Sequence, residues 1–240
     1  MVLRKLFGIA LALLLNAAHA GEAPLTATSA SPDAGQERWL AILDGAARLP
    51  EAARVGHVNA AFNTFAYRTD REIHGADDYW DSPLEFVARG QGDCEDFAIA
   101  KYFLLLRSGV ARDRLKLAFA FHDREDDLQL RRGPAGGART HVVLLYQPEG
   151  QAQPLVLDMI NEVAPLPART DLRVVFDFDD QATYAIQLAE VSTTAVQRMM
   201  TRWLDVLQRM DLPHAANLRI AARRPGGPGA VATAALPVRR

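Results

Sequence analysis

The pattern of apolar positions along this chain centres on one segment in which almost every residue is apolar. Residues 97–106 read Phe-Ala-Ile-Ala-Lys-Tyr-Phe-Leu-Leu-Leu, a composition typical of a helix that is buried on nearly every face. Asp93 precedes the segment as a good helix N-cap, Asp96 suits the first turn, and Gly109 provides a stop. The sequence therefore predicts a central helix with Cys94, the only cysteine of the chain, in its first turn.

Shorter helical patterns precede this segment. Apolar residues recur at helical spacing over Gln36–Arg48 and again over Glu51–Tyr67, which predicts two helices. Pro83 in a first helical position starts a third helix that leads towards the central one. Tyr79 and Trp80, just before it, are either core aromatic residues or walls of a cleft.

After the central helix the pattern changes to that of strands and ends in a long amphipathic helix. The predicted strands are Leu115–Phe121, Thr140–Tyr146, Pro154–Asp158, Val174–Phe178 and Tyr184–Leu188. Ser192–Met210 then places apolar residues on one helical face. Helices first and strands second predict an α+β domain in which the central helix packs on an antiparallel sheet.

Both ends of the chain have compositions typical of segments outside a folded domain. Residues 1–20 combine two basic residues, a short apolar run and a small-x-small cleavage site, which predicts a secretory signal peptide. Residues 21–34 are predicted to be a flexible leader and residues 222–240 a disordered tail, so the domain spans 35–215. We therefore expect a soluble exported protein, and its net charge of −2 without a basic patch argues against nucleic-acid binding.

Cys94 has two interpretations. A lone cysteine is usually a small buried hydrophobic residue. Export favours a chemical role, because an unpaired thiol is a liability in an oxidising compartment unless it is buried or needed. The positive end of a helix dipole also lowers a cysteine pKa, which suits a nucleophile.

A cysteine nucleophile needs a base and a group that orients the base. His57 falls in a predicted helix, and we assign His74, His122 and His214 to polar or terminal segments, whereas His141 alone starts a clear strand. If this strand and the next form a hairpin that turns near Gly150, His141 lies opposite Asp158. Opposed side chains have Cβ atoms about 4.5–5.5 Å apart. The alternative is a strand end with an ordinary surface histidine.

Three carboxylates surround the cysteine in sequence: Asp93, Glu95 and Asp96. Their negative charge opposes a thiolate and should raise the pKa of the Cys94 thiol. They are either stabilising acids at a helix N-terminus or oxygen ligands of a hard cation, most simply calcium. The spacing is not that of an EF-hand, so the residues alone leave both interpretations open.

Several motifs together resemble a known family. They are Asp78-Tyr-Trp80, Pro83, Glu85, Gly90-Gln-Gly-Asp-Cys-Glu-Asp-Phe-Ala-Ile-Ala-Lys-Tyr102, Thr140-His-Val-Val-Leu144 and Leu155-Val-Leu-Asp158. Over roughly residues 36–212 the chain resembles the bacterial transglutaminase-like cysteine proteinases, which include the LapG-type periplasmic proteases. The resemblance implies a papain-like, transglutaminase-type α+β fold with a catalytic triad of Cys94, His141 and Asp158.

The same resemblance implies a cofactor, a substrate and a partner. It implies Ca²⁺ binding through Asp93 and Glu95, with Asp96 as a further candidate ligand. LapG-type enzymes cut the N-terminal region of large surface adhesins near paired alanines, and LapD, an inner-membrane receptor for cyclic di-GMP, holds them inactive. We therefore expect a periplasmic protease whose release promotes biofilm dispersal. The chain departs from the family pattern at Met159, where an Asn often follows the Asp, and in the Gly/Pro-rich segment 133–137.

Two other classes of function remain open at this stage. A transglutaminase-type acyltransferase would use the same three residues and the same thioester at Cys94, which an amine rather than water would resolve. A non-enzymatic calcium-dependent binding module is the third possibility. The presence of Cys, His and Asp together argues against it, because a binding module has no use for all three.

Overall fold

The computed structural model describes residues 32–122, 139–160, 162–180, 182–185, 193–211, 219–222 and 232–235. The α-helices among them are α1 (Pro32–Ala47), α2 (Glu51–Phe62), α3 (Asp70–His74), α4 (Pro83–Arg89), α5 (Cys94–Arg107) and α6 (Thr193–Arg209). The strands among them are β1 (Ala66–Tyr67), β2 (Gln91–Gly92), β3 (Leu115–His122), β4 (Arg139–Tyr146), β5 (Leu155–Leu157), β6 (Ala164–Pro165), β7 (Leu172–Phe178), β8 (Ala182–Ala185), β9 (Arg219–Ala222) and β10 (Ala232–Ala235). The predicted signal peptide, the segment 133–137 and His214 lie outside the described residues.

Helix α5 is the centre of the fold, as predicted. Every residue from Cys94 to Leu105 is buried, so no face of the helix meets solvent over three turns. Helices α2 and α4 pack on one side of it, and strands β3 and β4 pack on the other. The helix ends at Arg107 with Ser108 as its C-cap, and Gly109 follows with a φ of 98°, a left-handed conformation that glycine adopts without strain.

The sheet confirms the predicted α+β class. The described residues form one eight-stranded sheet in the order β10-β9-β8-β7-β3-β4-β5-β6, in which all neighbours except β8 and β9 are antiparallel. β4 lies inside the sheet, between β3 and the short strand β5. Because β5 pairs only with residues 144–146 of β4, the first half of that edge of β4 is not paired with β5.

Two boundaries near the N-terminus differ from the prediction. α1 begins at Pro32, inside the predicted leader. Proline is well tolerated in the first turn of a helix, because a backbone N–H at that position has no helical partner and its absence costs nothing. The single helix predicted over Glu51–Tyr67 is wrong for residues 63–67, since α2 ends at Phe62 and β1 pairs with β2. Phe65 fits the helical spacing of apolar residues, but it packs against the core from a turn, which explains the wrong prediction.

The C-terminal segment also differs in part. Composition predicts a disordered tail over 222–240, but residues 232–235 form β10, which pairs with β9. Composition indicates how much apolar surface a segment can bury, but it gives no information on backbone hydrogen bonds. The small residues of β10 pair with β9 through their backbone. Within the described residues, no helix is both long and apolar enough to cross a membrane.

Aromatic residues join α6 to the core. Trp203 is fully buried, stacks on Phe103 with ring centroids 5.8 Å apart, and meets Phe178 edge-on at 5.6 Å. Its indole N–H donates to the backbone oxygen of Asp179 at 2.9 Å. Trp80 stacks on the same Phe178 at 6.1 Å and is buried, so of the two interpretations it is a core residue.

We predict that Trp203→Ala destabilises the protein by about 3–5 kcal/mol, because it removes a fully buried ring and leaves the Asp179 oxygen without this donor. Urea unfolding followed by circular dichroism measures the change. Gln208→Ala, on the exposed face of α6, is the matched control and should unfold at the wild-type urea concentration. Equal midpoints for Trp203→Ala and the control would contradict the packing described for α6.

Candidate active site

Cys94 lies at the start of α5, where two glycines shape the approach. Gly90 ends α4 with a φ of 69°. Gly92 must be glycine for a different reason, because a Cβ there would lie 2.8 Å from Cδ2 of Phe86. The chain then reaches Asp93, the N-cap, whose N–H donates to Oδ2 of Asp96 at 3.0 Å.

The thiol faces both its own helix and strand β4. Sγ of Cys94 donates to Oε2 of Glu95 at 3.0 Å, and the backbone N–H of Val142 donates to the sulfur. Val142 directly follows His141 in β4, on the strand edge that β5 leaves uncovered. The packing of α5 on β4 therefore brings the predicted nucleophile against the strand that carries the predicted base.

The surroundings oppose ionisation of this thiol. Burial raises the pKa of Cys94 well above its ordinary value, and the negative charges of Glu95 and Asp93 raise it further. The hydrogen bond from Val142 acts in the opposite direction but does not compensate. The sequence-based expectation that the acids act against a thiolate thus agrees with the structure.

His141 and Asp158 are in contact, as predicted, although the register differs. Nε2 of His141 lies 2.7 Å from Oδ1 of Asp158. The hairpin pairs Leu144 with Leu157, so the strands are displaced by two residues from the predicted pairing. A displacement of two keeps each side chain on its face, because side chains alternate with period two, and the pair becomes diagonal rather than opposite.

The other imidazole nitrogen of His141, Nδ1, has a lone pair that can accept a proton. Nδ1 is buried and has no hydrogen-bond partner among the described residues. Since Asp158 accepts a hydrogen bond at Nε2, Nε2 carries the proton and Nδ1 carries the lone pair. Nδ1 is therefore the nitrogen of His141 at which a proton can be accepted.

Asp158 is held at all three of its oxygen atoms. Oδ1 also accepts from the N–H of Met159 at 2.7 Å, and Oδ2 accepts from Nη2 of Arg169 at 2.8 Å. Its backbone oxygen accepts from Nζ of Lys101 at 2.6 Å and from Nδ2 of Asn63 at 3.0 Å. At Met159, where the chain departs from the family pattern, the contact with Oδ1 is made by the backbone N–H.

These contacts keep Asp158 ionised. Burial raises the pKa of its carboxyl group, but attraction and hydrogen bonds from His141 and Arg169 outweigh burial, and the net shift is well below the ordinary value. Arg169 also donates to Asp171 at 2.8 Å, and Oδ2 of Asp171 lies 3.1 Å from Nε2 of His122. The ring of His122 meets that of His141 edge-on, 5.8 Å between centroids.

Sequence reasoning missed this second group of residues around Asp158. We assigned His122 to a polar loop, but it is the buried last residue of β3, because the strand continues one residue beyond the predicted end. Arg169 and Asp171 lie in the turn before β7, where no periodicity draws attention to them. Their closeness in sequence to a strand end was the one available signal.

The carboxylates near the thiol form a larger cluster than predicted. Ligand atoms of Asp70, Asp93 and Asp96 lie within 4.8 Å of one another, and so do those of Asp70, Asp78 and Glu95. All but Asp78 are buried. Such an all-oxygen set fits a hard cation such as calcium, and it adds Asp70 and Asp78 to the predicted Asp93, Glu95 and Asp96.

Within this cluster Asp96 has a separate structural role. Its Oδ1 accepts from the N–H of Asp81 at 2.8 Å, and its Oδ2 accepts the N–H of Asp93. Asp96 therefore ties the loop before α4 to the N-terminus of α5. No spacing rule connects Asp70 and Asp78 to the cysteine, which explains why the sequence does not identify them as ligands.

Comparisons with known proteins relate the chain to one protein family. A sequence profile of the bacterial transglutaminase-like cysteine proteinases matches residues 44–130, which include Cys94 but neither His141 nor Asp158. No curated protein sequence matches the chain significantly. The chain is, however, similar to solved structures, and the similarity confirms the predicted transglutaminase-like fold.

Three of these structures are of LapG from Legionella pneumophila. One is 34% identical with a TM-score of 0.56, and the match covers 73% of this chain and 89% of that one. An EGTA-treated LapG is 32% identical with a TM-score of 0.58, covering 73% and 89%. A calcium-bound LapG is 32% identical with a TM-score of 0.56, covering 74% and 91%.

We predict that Arg169→Met makes the protein unfold at a higher pH during acidification. The folded-state pKa of Asp158 is lowered, so its stabilising effect is present above the unfolded value of about 3.9 and is lost as the pH falls through the folded value. Without Arg169 the folded pKa moves upward, and that of Asp171, lowered mainly by the same arginine, moves with it. The measurement is acid titration followed by circular dichroism.

Arg48→Met is the matched control for this titration. Arg48 pairs with Asp44 on the exposed surface of α1, where an ion pair contributes little to stability. It should therefore leave the pH of half-unfolding unchanged. If Arg169→Met also leaves that pH unchanged, Arg169 does not hold Asp158 in its ionised form.

Proposed function

Because this chain belongs to the bacterial transglutaminase-like cysteine proteinases, we propose that it is a calcium-dependent cysteine endopeptidase with a triad of Cys94, His141 and Asp158. The observation that carries the proposal is the packing of the N-terminus of α5 on β4. It brings the thiol to the backbone N–H of Val142, and the residue before Val142 is His141, whose imidazole is hydrogen-bonded to Asp158 at 2.7 Å.

Each residue of the triad has a defined part in the proposed reaction. Asp158 keeps the Nε2–H tautomer of His141, so that Nδ1 takes the proton of the Cys94 thiol. The thiolate attacks the carbonyl carbon of the scissile peptide bond, and the backbone N–H of Cys94, at a helix N-terminus, stabilises the oxyanion. The C–N bond then breaks, and the leaving amine takes the proton from His141.

The second half of the reaction restores the enzyme. A thioester joins Cys94 to the N-terminal fragment of the substrate. His141 removes a proton from water, whose oxygen attacks the thioester carbon, and the C–S bond breaks. The products are a carboxylic acid and the free thiol, which regains its proton from His141.

The acid cluster supports a calcium requirement. Glu95 and Asp93 hold the Cys94 pKa high, and Oε2 of Glu95 accepts the thiol hydrogen in this structure. Asp93 and Glu95, with Asp70 and Asp78, would hold a calcium ion, which would supply positive charge beside the sulfur. Glu95 engaged with a cation would compete less for the thiol hydrogen, which favours transfer to His141. The similarity to a calcium-bound LapG supports the choice of metal.

The substrate, location and control follow from the resemblance of the motifs to LapG-type proteases. We propose that the protein acts in the periplasm, exported by the signal peptide predicted at residues 1–20. Its substrate would be the N-terminal region of a large surface adhesin, cut near paired alanines, and the cut would release the adhesin and promote biofilm dispersal. A LapD-type inner-membrane receptor for cyclic di-GMP would be its inhibitory partner.

The function is tested with purified protein and recombinant N-terminal fragments of adhesins that contain paired alanines. We expect cleavage in calcium, with a new carboxyl terminus detected by mass spectrometry. Cys94→Ala should abolish cleavage and His141→Ala should reduce it about as strongly, by roughly 1000-fold or more, because triad residues act as a unit. Asp158→Asn should have a smaller effect.

The controls separate chemistry from folding. Cys94→Ala should keep the wild-type circular dichroism spectrum, because a small residue fits the first helical turn. Near wild-type cleavage by Cys94→Ala would exclude the cysteine-protease mechanism. If an added primary amine were incorporated into the substrate without cleavage, the protein would be an acyltransferase instead.

We also predict that EGTA lowers the melting temperature and the cleavage rate together, and that calcium restores both. A ligand at about 100 times its Kd stabilises the folded state by about 2.7 kcal/mol, which corresponds to roughly 5–10 °C in a domain of this size. The measurements are a thermal melt and a cleavage assay.

Two variants sharpen the calcium test. Glu95→Gln should behave as the chelated protein and should not respond to added calcium. Glu149→Gln, whose side chain is exposed and remote in sequence from the cluster, should respond as the wild type does. If EGTA changes neither quantity in the wild type, the carboxylates serve the helix N-terminus and not a metal.

A further inference from the structure

A buried lysine in the middle of α5 has no part in the mechanism above. Lys101 is 0% exposed, and its Nζ donates to Oδ1 of Asn63 at 2.7 Å and to the backbone oxygen of Asp158 at 2.6 Å. Burial lowers its pKa from 10.5 to about 7, which shows how unfavourable the charged group is in this position. An apolar side chain of similar length would avoid that penalty, so stability alone does not account for a lysine here.

The lysine acts on a piece of main chain that the sheet does not hold. β5 ends at Leu157, and its pairing with β6 joins residues 155–156 to 164–165. Beyond it, side chains replace strand hydrogen bonds. Nδ2 of Asn63 donates to the backbone oxygens of Asp158 and Ile160 at 3.0 and 2.7 Å, and Nδ2 of Asn59 donates to that of Ile160 at 2.9 Å.

Lys101 and Cys94 also share a helix. They are seven residues apart, close to two full turns, so they lie on the same side of α5 about 10 Å apart along its axis. Every residue of the helix from Cys94 to Leu105 is buried, so packing fixes this spacing. The segment His141–Val142 connects the regions around these two residues. His141 contacts Asp158, which Lys101 holds, and the backbone N–H of Val142 donates to the Cys94 sulfur.

We propose that Lys101 is a positioning residue: it fixes the main chain at Asp158 to the helix that carries Cys94, so that Asp158 orients His141 towards the thiol. This inference rests on the proposed triad. Lys101 touches no substrate and transfers no proton. Asn63, the residue that caps the C-terminus of α2, completes the same support by contacting both Nζ of Lys101 and the Asp158 oxygen.

The test compares kcat and KM of three variants in calcium, at a temperature well below their melting points. Lys101→Met keeps the length of the side chain but donates no hydrogen bond, and we expect kcat to fall about 10- to 100-fold with KM within about twofold of wild type. Asn63→Ala should lower kcat in the same direction by a smaller factor. Leu104→Ala, also fully buried on α5, should lower the melting temperature and leave kcat unchanged.

The outcomes decide the proposal in either direction. Wild-type kcat in Lys101→Met overturns it, and so does an equal loss of kcat in Leu104→Ala, since both results reduce Lys101 to a packing role. If Lys101→Met does not fold, the half-buried Asn63→Ala decides the matter, and unchanged kcat in that variant overturns the proposal.

A crystal structure of Lys101→Met separates this inference from the proposed function. We expect the distance between His141 Nε2 and Asp158 Oδ1 to increase from 2.7 Å to beyond hydrogen-bond range. An unchanged distance overturns the positioning role. If the wild type cleaves no substrate, the proposed protease function fails, while this structural comparison still supports or overturns the role of Lys101.

Discussion

The burial of α5 is the constraint on which the rest of the structure depends. Because every residue from Cys94 to Leu105 is inside, the helix cannot rotate or slide without exposing apolar surface or leaving voids. Its N-terminus is therefore fixed against β4, and with it the position of the thiol. Helices α2 and α4 on one side, and the sheet on the other, owe their arrangement to the need to cover this one helix.

The charges buried around α5 are divided between two places. Carboxylates gather at its N-terminus beside the thiol, whereas the cations Lys101 and Arg169 contact Asp158. Two like charges about 4 Å apart repel by roughly 4 kcal/mol at an effective dielectric constant of about 20, so the acid cluster is unfavourable without a counter-ion. Arg169 has the opposite effect on Asp158, because its attraction and hydrogen bond keep that carboxylate ionised and available to orient His141. We infer that this separation makes activity depend on a metal at one end and on fixed side chains at the other.

Much of this arrangement could be predicted from local pattern, but its supports could not. The continuous apolar run identified α5, and strand alternation identified β4, which together located Cys94 and His141. The contact with Asp158 survived a register displaced by two residues because the side-chain period in a strand is two. Lys101, Arg169 and Asp70 escaped prediction because their partners are distant in sequence or lie in turns. Lys101 also lies within the apolar run, and that run predicts a buried helix without indicating a role for the lysine.

The rate at which iodoacetamide alkylates the protein at neutral pH in calcium tests the central claim most directly, because the only cysteine is Cys94 and no other thiol contributes. The claim is that α5 and β4 bring this thiol to an imidazole that Asp158 holds as a base. It predicts that the wild type reacts roughly tenfold faster or more than His141→Ala, since the imidazole promotes the reactive thiolate. Equal rates in the two proteins would contradict the claim.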